Sequence, residues 1–226
     1  MATMSWIKKA FAGGYRSGNI LFRIPDPVRF KQERMIGGSY RKLFYQAILP
    51  HIKSDSRVLE IGPGRGSWTR AVMKFLPEGE MTTIDFQDVQ PWLRPEKYNG
   101  RLICKKVTDN SFQSIQNNYF DFVFSIGVLC HHNQGDIDEV LVNTLPKMKH
   151  GGIALHHYGD WNKLEEYGWK KGNVPTEFKT MPDDEIWWPR NNKDIMAELA
   201  RQAGWIVLNN DLGLVKRDSI ILLKAL

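Results

Sequence analysis

With 226 residues, 42% of them apolar and 25% charged, the chain has the size and composition of one substantial globular domain and is short for two. The formal charge of +6 allows an anionic partner, but the basic residues are dispersed, in pairs such as Lys105-Lys106, Lys170-Lys171 and Lys216-Arg217, so no basic tract argues for nucleic acid. No apolar run reaches the roughly 18 to 20 residues that cross a bilayer, residues 1–9 lack the apolar core of a secretory signal, and Cys104 and Cys130 are too few for a disulfide framework. The expectation is a cytoplasmic protein with no membrane span and both cysteines as small apolar residues.

Residues 1–56 stand apart as an N-terminal helical and lid segment, with aromatic and basic residues around Gly13-Gly14, Pro25, Pro27 and Gly37-Gly38, then a predicted helix over 39–51. From residue 57, short β-branched runs alternate with helical spacing, the pattern of an α/β sheet. Strands are predicted at 57–61, 81–85, 101–105, 119–126, 152–157, 205–209 and 219–224, the last two close enough to be antiparallel. Trp68, Ala71, Val72, Phe75 and Leu76 mark a helix over 65–76. Ile137, Val140, Leu141 and Leu145 mark a second, and Ile195, Met196, Leu199, Ala200 and Ala203 a third that Gly204 closes. Residues 159–190 form an insertion rich in Trp, Gly and Pro, placed to build a substrate pocket at the carboxyl edge of the sheet, where open α/β folds bind ligands.

The first strand runs straight into Gly62-Pro63-Gly64-Arg65-Gly66 and a helix. Glycines there allow a tight turn and let a ligand approach the backbone, and the helix behind offers unpaired N–H groups. Asp85 ends the second strand, 19 positions after Gly66, where a carboxylate can accept two ribose hydroxyls. Over about residues 55–226 this order of strand, glycine triplet, helix, strand and acid resembles the class I S-adenosylmethionine-dependent methyltransferase family, whose domain is expected over 57–226. That resemblance implies a Rossmann-like, doubly wound sheet of seven strands, mostly parallel with an antiparallel C-terminal strand. It implies S-adenosylmethionine as cofactor, held by Glu60, Gly62, Gly64, Gly66, Asp85 and Phe86, with Asp109 near the adenine and Ser125 near the methionine part. A nicotinamide-binding loop more usually has two residues between its second and third glycines, and this one has a single residue, Arg65. Tyr167 and Lys171 have the spacing of a short-chain dehydrogenase pair, but Gly168 and Gly172 interrupt the segment, and the spacing is read as coincidence.

The acceptor is read from the residues after strand four. Ser125-Ile126-Gly127-Val128 lacks the Asn/Asp-Pro-Pro-aromatic motif of enzymes that methylate nucleobase amines. His131 and His132 follow at once, where several small-molecule O-methyltransferases of the family carry a catalytic His, and an alcohol needs such a base as its proton leaves. His157 from strand five and Trp188, Arg190 and Asn191 from the insertion are expected to shape the acceptor pocket. Of His156 and His157 only one should face it, because side chains alternate along a strand. The four imidazoles with Asp136, Asp138 and Asp160 also offer a Mg²⁺ site as the minority reading, against the preference of that ion for oxygen ligands. The expected activity is methyl transfer to a hydroxyl of a sugar, glycan or other small metabolite. A small-molecule N-methyltransferase, another sulfonium-using enzyme and a non-catalytic partner subunit stay open. No oligomeric state follows from the sequence.

Overall fold

The computed structural model describes Trp6 and residues 9–226. The expectations for residues 1–5, 7 and 8 lie outside the described residues. Among the described residues, seven strands form one sheet in the order β3-β2-β1-β4-β5-β7-β6. They are β1 (Arg57–Ile61), β2 (Glu80–Asp85), β3 (Leu102–Lys106), β4 (Phe120–Ser125), β5 (Met148–Gly159), β6 (Ile206–Asn209) and β7 (Asp218–Lys224). β1 to β5 pair in parallel, while β7 runs antiparallel to both β5 and β6. The strand order reverses between β1 and β4, which opens a crevice at their carboxyl ends.

Alternation along the strands divides the core into two layers. Val58, Phe122, Phe124, Leu155 and Ile220 face one side, where they pack with Ile20, Tyr40 and Phe44 of the N-terminal segment and with Trp68 and Val72. Leu59, Val123, Ala154, Ile221 and Leu223 face the other, against Ile137, Val140, Leu141, Met196 and Ala200. The α-helices of the described residues are α1 (Pro27–Ile36), α2 (Tyr40–Leu43), α3 (Ser67–Met73), α4 (Gln90–Leu93), α5 (Gln134–Thr144), α6 (Trp161–Tyr167) and α7 (Lys193–Gln202), of which α2, α3, α5 and α7 supply side chains just named in these two layers. Asp26, Asn133, Asp160 and Asn192 cap α1, α5, α6 and α7 by accepting backbone N–H bonds with their side chains. The insertion holds a small core of its own, Leu164, Trp169, Val174, Phe178, Ile186 and Trp188, closed by Cys130.

Several strand ends differ from the sequence reading by a residue, and three elements differ by more. The helix predicted over 65–76 is confined to α3, since Gly66 caps it in the left-handed region and the turns after Met73 tighten. The helix predicted over 39–51 is α2 followed by a π-helical turn (Phe44–Ile48) and a 3-10 turn at Pro50 (Leu49–His51). Strand five runs past His157 to Gly159, because pairing with β7 continues through Tyr158 to Ser219 and Gly159 to Asp218. His156 and His157 are therefore inside a strand, His156 between Ser125 of β4 and Ile221 of β7 and His157 beside Ile220 of β7. Cys130 is buried as expected, and Cys104 is half-buried. No helix of the described residues is long and apolar enough to cross a membrane.

Candidate active site

The crevice at the strand reversal holds a cavity, and its floor is the glycine loop between β1 and α3. Gly62 has φ +68°, and a Cβ there would stand 2.5 Å from the Val128 side chain. Gly64 has φ +52°, and a Cβ would stand 2.7 Å from the Tyr15 carbonyl oxygen. Any other residue would be strained in backbone and in contact at both places. The loop flanks are tied by buried Glu60 on β1, which accepts the hydroxyl of Thr69 on α3. Burial pushes the Glu60 carboxyl up to about 8, so it is protonated at neutral pH.

Two further segments complete the wall. Asp85 and Phe86, at the end of β2, line the cavity. One Asp85 oxygen accepts the Gln87 N–H at 3.0 Å, and burial raises the carboxyl above its usual range. Asp85 can still accept hydroxyl protons from a ligand with its remaining lone pairs. From the other side the N-terminal segment lies across the loop. The Arg65 N–H donates to Tyr15 O at 2.9 Å, Arg65 Nε to Gly13 O at 2.6 Å, and the Ser17 N–H to Ser67 Oγ at 3.1 Å. These bonds place Phe11, Gly14, Tyr15 and Ser17 in the cavity wall.

The two histidine pairs have different fates. The 3-10 turn after β4 (Leu129–His131) packs on the glycine loop through Val128, and both His131 and His132 line the cavity. His131 Nδ1 lies 3.0 Å from Trp187 O, and His132 Nδ1 lies 3.0 Å from Val128 O. A carbonyl only accepts, so each Nδ1 carries the proton, and in the neutral ring each Nε2 holds a lone pair. His131 sits among the rings of Trp6, Phe11, Trp187 and Trp188 at 5.1 to 6.2 Å, and burial there pushes its pKa down to about 4. Burial also lowers His132, but its bond to Val128 and the carboxylate of Asp136 oppose that shift.

His156 and His157 stand behind the wall. His156 is 2.9 Å from Ser125 Oγ, and its Nε2 is buried with no partner among the described residues. Burial takes it down to about 4. His157 Nδ1 accepts the Gly127 N–H at 3.0 Å, so its proton is on Nε2, which donates to Asp218 at 2.9 Å. Burial alone would raise the Asp218 carboxyl, but the Arg217 guanidinium at 2.7 Å and the His157 bond hold it at about 2. Arg217, Asp218 and His157 thus form a buried line ending on Gly127, a residue of the cavity wall.

Of the residues singled out from sequence, Gly62, Gly64, Asp85, Phe86, His131 and His132 meet in the cavity wall. The others are placed elsewhere. Gly66 is the cap of α3. Ser125 is fully buried on His156. Asp109 is exposed and accepts the Ser111 N–H, and its neighbour Asn110 lines the cavity instead. Trp188 packs edge-on against His131 with Arg217 over its ring. Arg190 pairs with Asp183 and lies over Trp161, and the backbone carbonyl of buried Asn191 accepts the backbone N–H of Trp161. Sequence reasoning did not single out Trp68, Asn110, Phe112 or Gln87. Trp68 had registered only as a core position of the helix, and Phe11 and Tyr15 only as aromatics beside Gly13-Gly14. Among the described residues no group of three or more His, Cys, Asp or Glu is placed to hold a metal ion.

Residues 32–216 match the model of the methyltransferase domain family, so the chain belongs to that family, the class I S-adenosylmethionine-dependent methyltransferases. No curated protein matches its sequence. Among solved structures, a SAM-dependent methyltransferase from Aquifex aeolicus is similar over 89% of this chain and 94% of its own, at 16% identity and a TM-score of 0.62. The 1,6-didemethyltoxoflavin-N1-methyltransferase of Burkholderia thailandensis, with S-adenosylhomocysteine bound, is similar over 88% of this chain and 81% of its own, at 14% identity and 0.60. An O-methyltransferase from neocarzinostatin biosynthesis, in complex with S-adenosylmethionine, is similar over 87% of this chain and 57% of its own, at 15% identity and 0.59. At these identities the likeness is one of fold. The cofactor is S-adenosylmethionine, and the cavity fits it. Two glycines leave open backbone where a Cβ would intrude, a carboxylate stands at the end of β2, and the Trp68 indole N–H is buried in the wall with no partner among the described residues.

Proposed function

We propose that the protein methylates a hydroxyl of a sugar, glycan or other small metabolite, with His132 as the proton acceptor. The observation that carries this reading is the hydrogen bond from His132 Nδ1–H to Val128 O, which leaves the Nε2 lone pair on an imidazole of the cavity wall. When bound, S-adenosylmethionine supplies a methyl carbon made electrophilic by its sulfonium. The acceptor oxygen would bond to that carbon as the carbon–sulfur bond breaks and the neutral thioether leaves, and His132 Nε2 would take the hydroxyl proton. Asp136 favours the imidazolium that results. On His131 the Arg217 guanidinium and the Asp218 carboxylate act in opposite directions, and the ring is surrounded by aromatic side chains, so it suits holding and orienting the acceptor.

In this reading Gly62, Gly64, Asp85, Phe86 and Asn110 contact the cofactor, and Glu60, Gly66 and Ser125 hold the loop and strand that carry those contacts. Asp109 keeps the turn beside Asn110. Residues 9–17 act as a lid, and His157, Trp188, Arg190 and Asn191 support the acceptor side from behind. The decisive experiment is a transfer assay with methyl-labelled S-adenosylmethionine over sugars, nucleotide sugars, phenols and amines. Labelled ethers support the proposal. Labelled amines alone would overturn it, since a neutral amine needs less help from a base.

A further inference from the structure

The chain's net charge is concentrated in one segment. Residues 16–46 carry seven basic and two acidic residues, a net +5 out of +6 for the whole protein. Both acids are already engaged. Asp26 caps α1 and accepts the Asn19 N–H, while Glu33 faces Arg29 and accepts the Tyr40 N–H. Among the described residues Arg23, Arg41 and Lys42 have no carboxylate partner, and together with Arg29 and Tyr45 they line one recess on the surface.

The same segment exposes large apolar side chains. Ile24 is 80% exposed, Phe30 59% and Phe22 58%. Their exposure is built into the structure, because the loop that carries Phe22 and Ile24 is held by buried arginine. Arg29 Nη1 donates to Asn19 O at 2.6 Å, Ile20 O at 3.2 Å and Phe22 O at 2.6 Å, and Arg41 Nε donates to Leu21 O at 3.2 Å. A pinned loop that points Phe and Ile outward beside unpaired cations has the chemistry of an interfacial membrane anchor, with side chains to enter the acyl boundary and cations to meet anionic headgroups. An aliphatic Ile as the most exposed side chain fits acyl chains better than it fits stacked bases.

We propose that this face, Phe22, Ile24 and Phe30 with Arg23, Arg41 and Lys42, docks the protein on an anionic lipid bilayer. It lies next to the cavity mouth in the chain, since Ser17 lines the cavity and Tyr15 bonds to Gln32 of α1. The docked enzyme would draw its acceptor from the membrane surface or near it.

The test is sedimentation of the full chain with vesicles of phosphatidylcholine alone, or of phosphatidylcholine with phosphatidylglycerol. Binding is expected on the anionic vesicles, at least about tenfold stronger than on neutral ones and weakened by salt. Replacing both cations, Arg23→Gln with Lys42→Gln, should weaken it on the order of tenfold or more. Phe22→Ser with Ile24→Ser should do the same. Leu208→Ser, an exposed apolar residue on β6, should bind as the parent does. Melting temperature and cofactor affinity verify that every variant is folded. No binding to anionic vesicles at low salt would overturn the proposal, as would binding indifferent to both double variants. Tight binding to single-stranded RNA without vesicle binding would also overturn it.

Discussion

His131-His132 and His156-His157 are the same dipeptide, each after an apolar run, yet the fold gives them opposite surroundings. The first pair closes a 3-10 turn beyond the end of β4, where the backbone supplies a carbonyl acceptor to each Nδ1 and both residues line the cavity. The second is inside β5, where His156 Nδ1 meets Ser125, both nitrogens of His157 are engaged by Gly127 and Asp218, and His156 Nε2 is buried with no partner among the described residues. The difference teaches that an imidazole's role follows from what its second nitrogen touches. A carbonyl partner at Nδ1 prepares Nε2 as a base, whereas an N–H donor at Nδ1 fixes the ring as a brace.

Substitutions can break this contrast. The largest expected effect is on turnover, where His132→Ala should lower kcat by about 10²- to 10⁴-fold with cofactor affinity retained, measured by labelled transfer and calorimetry. Next is Asp218→Ala, which leaves the Arg217 guanidinium buried without its partner and should cost about 3 to 5 kcal/mol of stability in denaturant unfolding. Acid should reveal the buried rings. With pKa values of about 4 in the fold, His131 and His156 stay neutral while the unfolded chain takes up protons below about 6.5. Their contribution to stability is full above that pH and is lost as pH falls toward 4, so the melting temperature should drop further in the parent than in His156→Leu. The smallest effect is expected at Glu60. A carboxyl titrating at about 8 is protonated at pH 7 and close in shape to an amide, so Glu60→Gln should stay within about 1 kcal/mol of the parent in thermal unfolding.

The sheet was legible because buried parallel strands write themselves as short apolar runs, and each of the seven predicted runs falls on an observed strand. The glycine loop and Asp85 were legible for a related reason: positive φ and a strand-end acid leave marks in sequence that side-chain packing does not. The acceptor side left fewer marks. Phe11 and Tyr15 reach the cavity through backbone bonds from residues 13–17 to Arg65 and Ser67, and such long-range pairing has no local signature. Asp109 and Asn110 could not be told apart, since which side chain turns inward depends on a single turn of backbone. Trp188 and Asn191 stood out as aromatic and polar groups suited to a ligand, and the fold uses them as packing for the insertion.

The central claim is that His132 takes the acceptor's proton. Its most direct test is the rate of methyl transfer by the parent and by His132→Ala, at saturating cofactor, across pH. The expected result is a loss of about 10²- to 10⁴-fold near pH 7 that shrinks as pH rises toward the acceptor's own ionisation, where no base is needed. Equal rates for parent and variant across the whole range would contradict it.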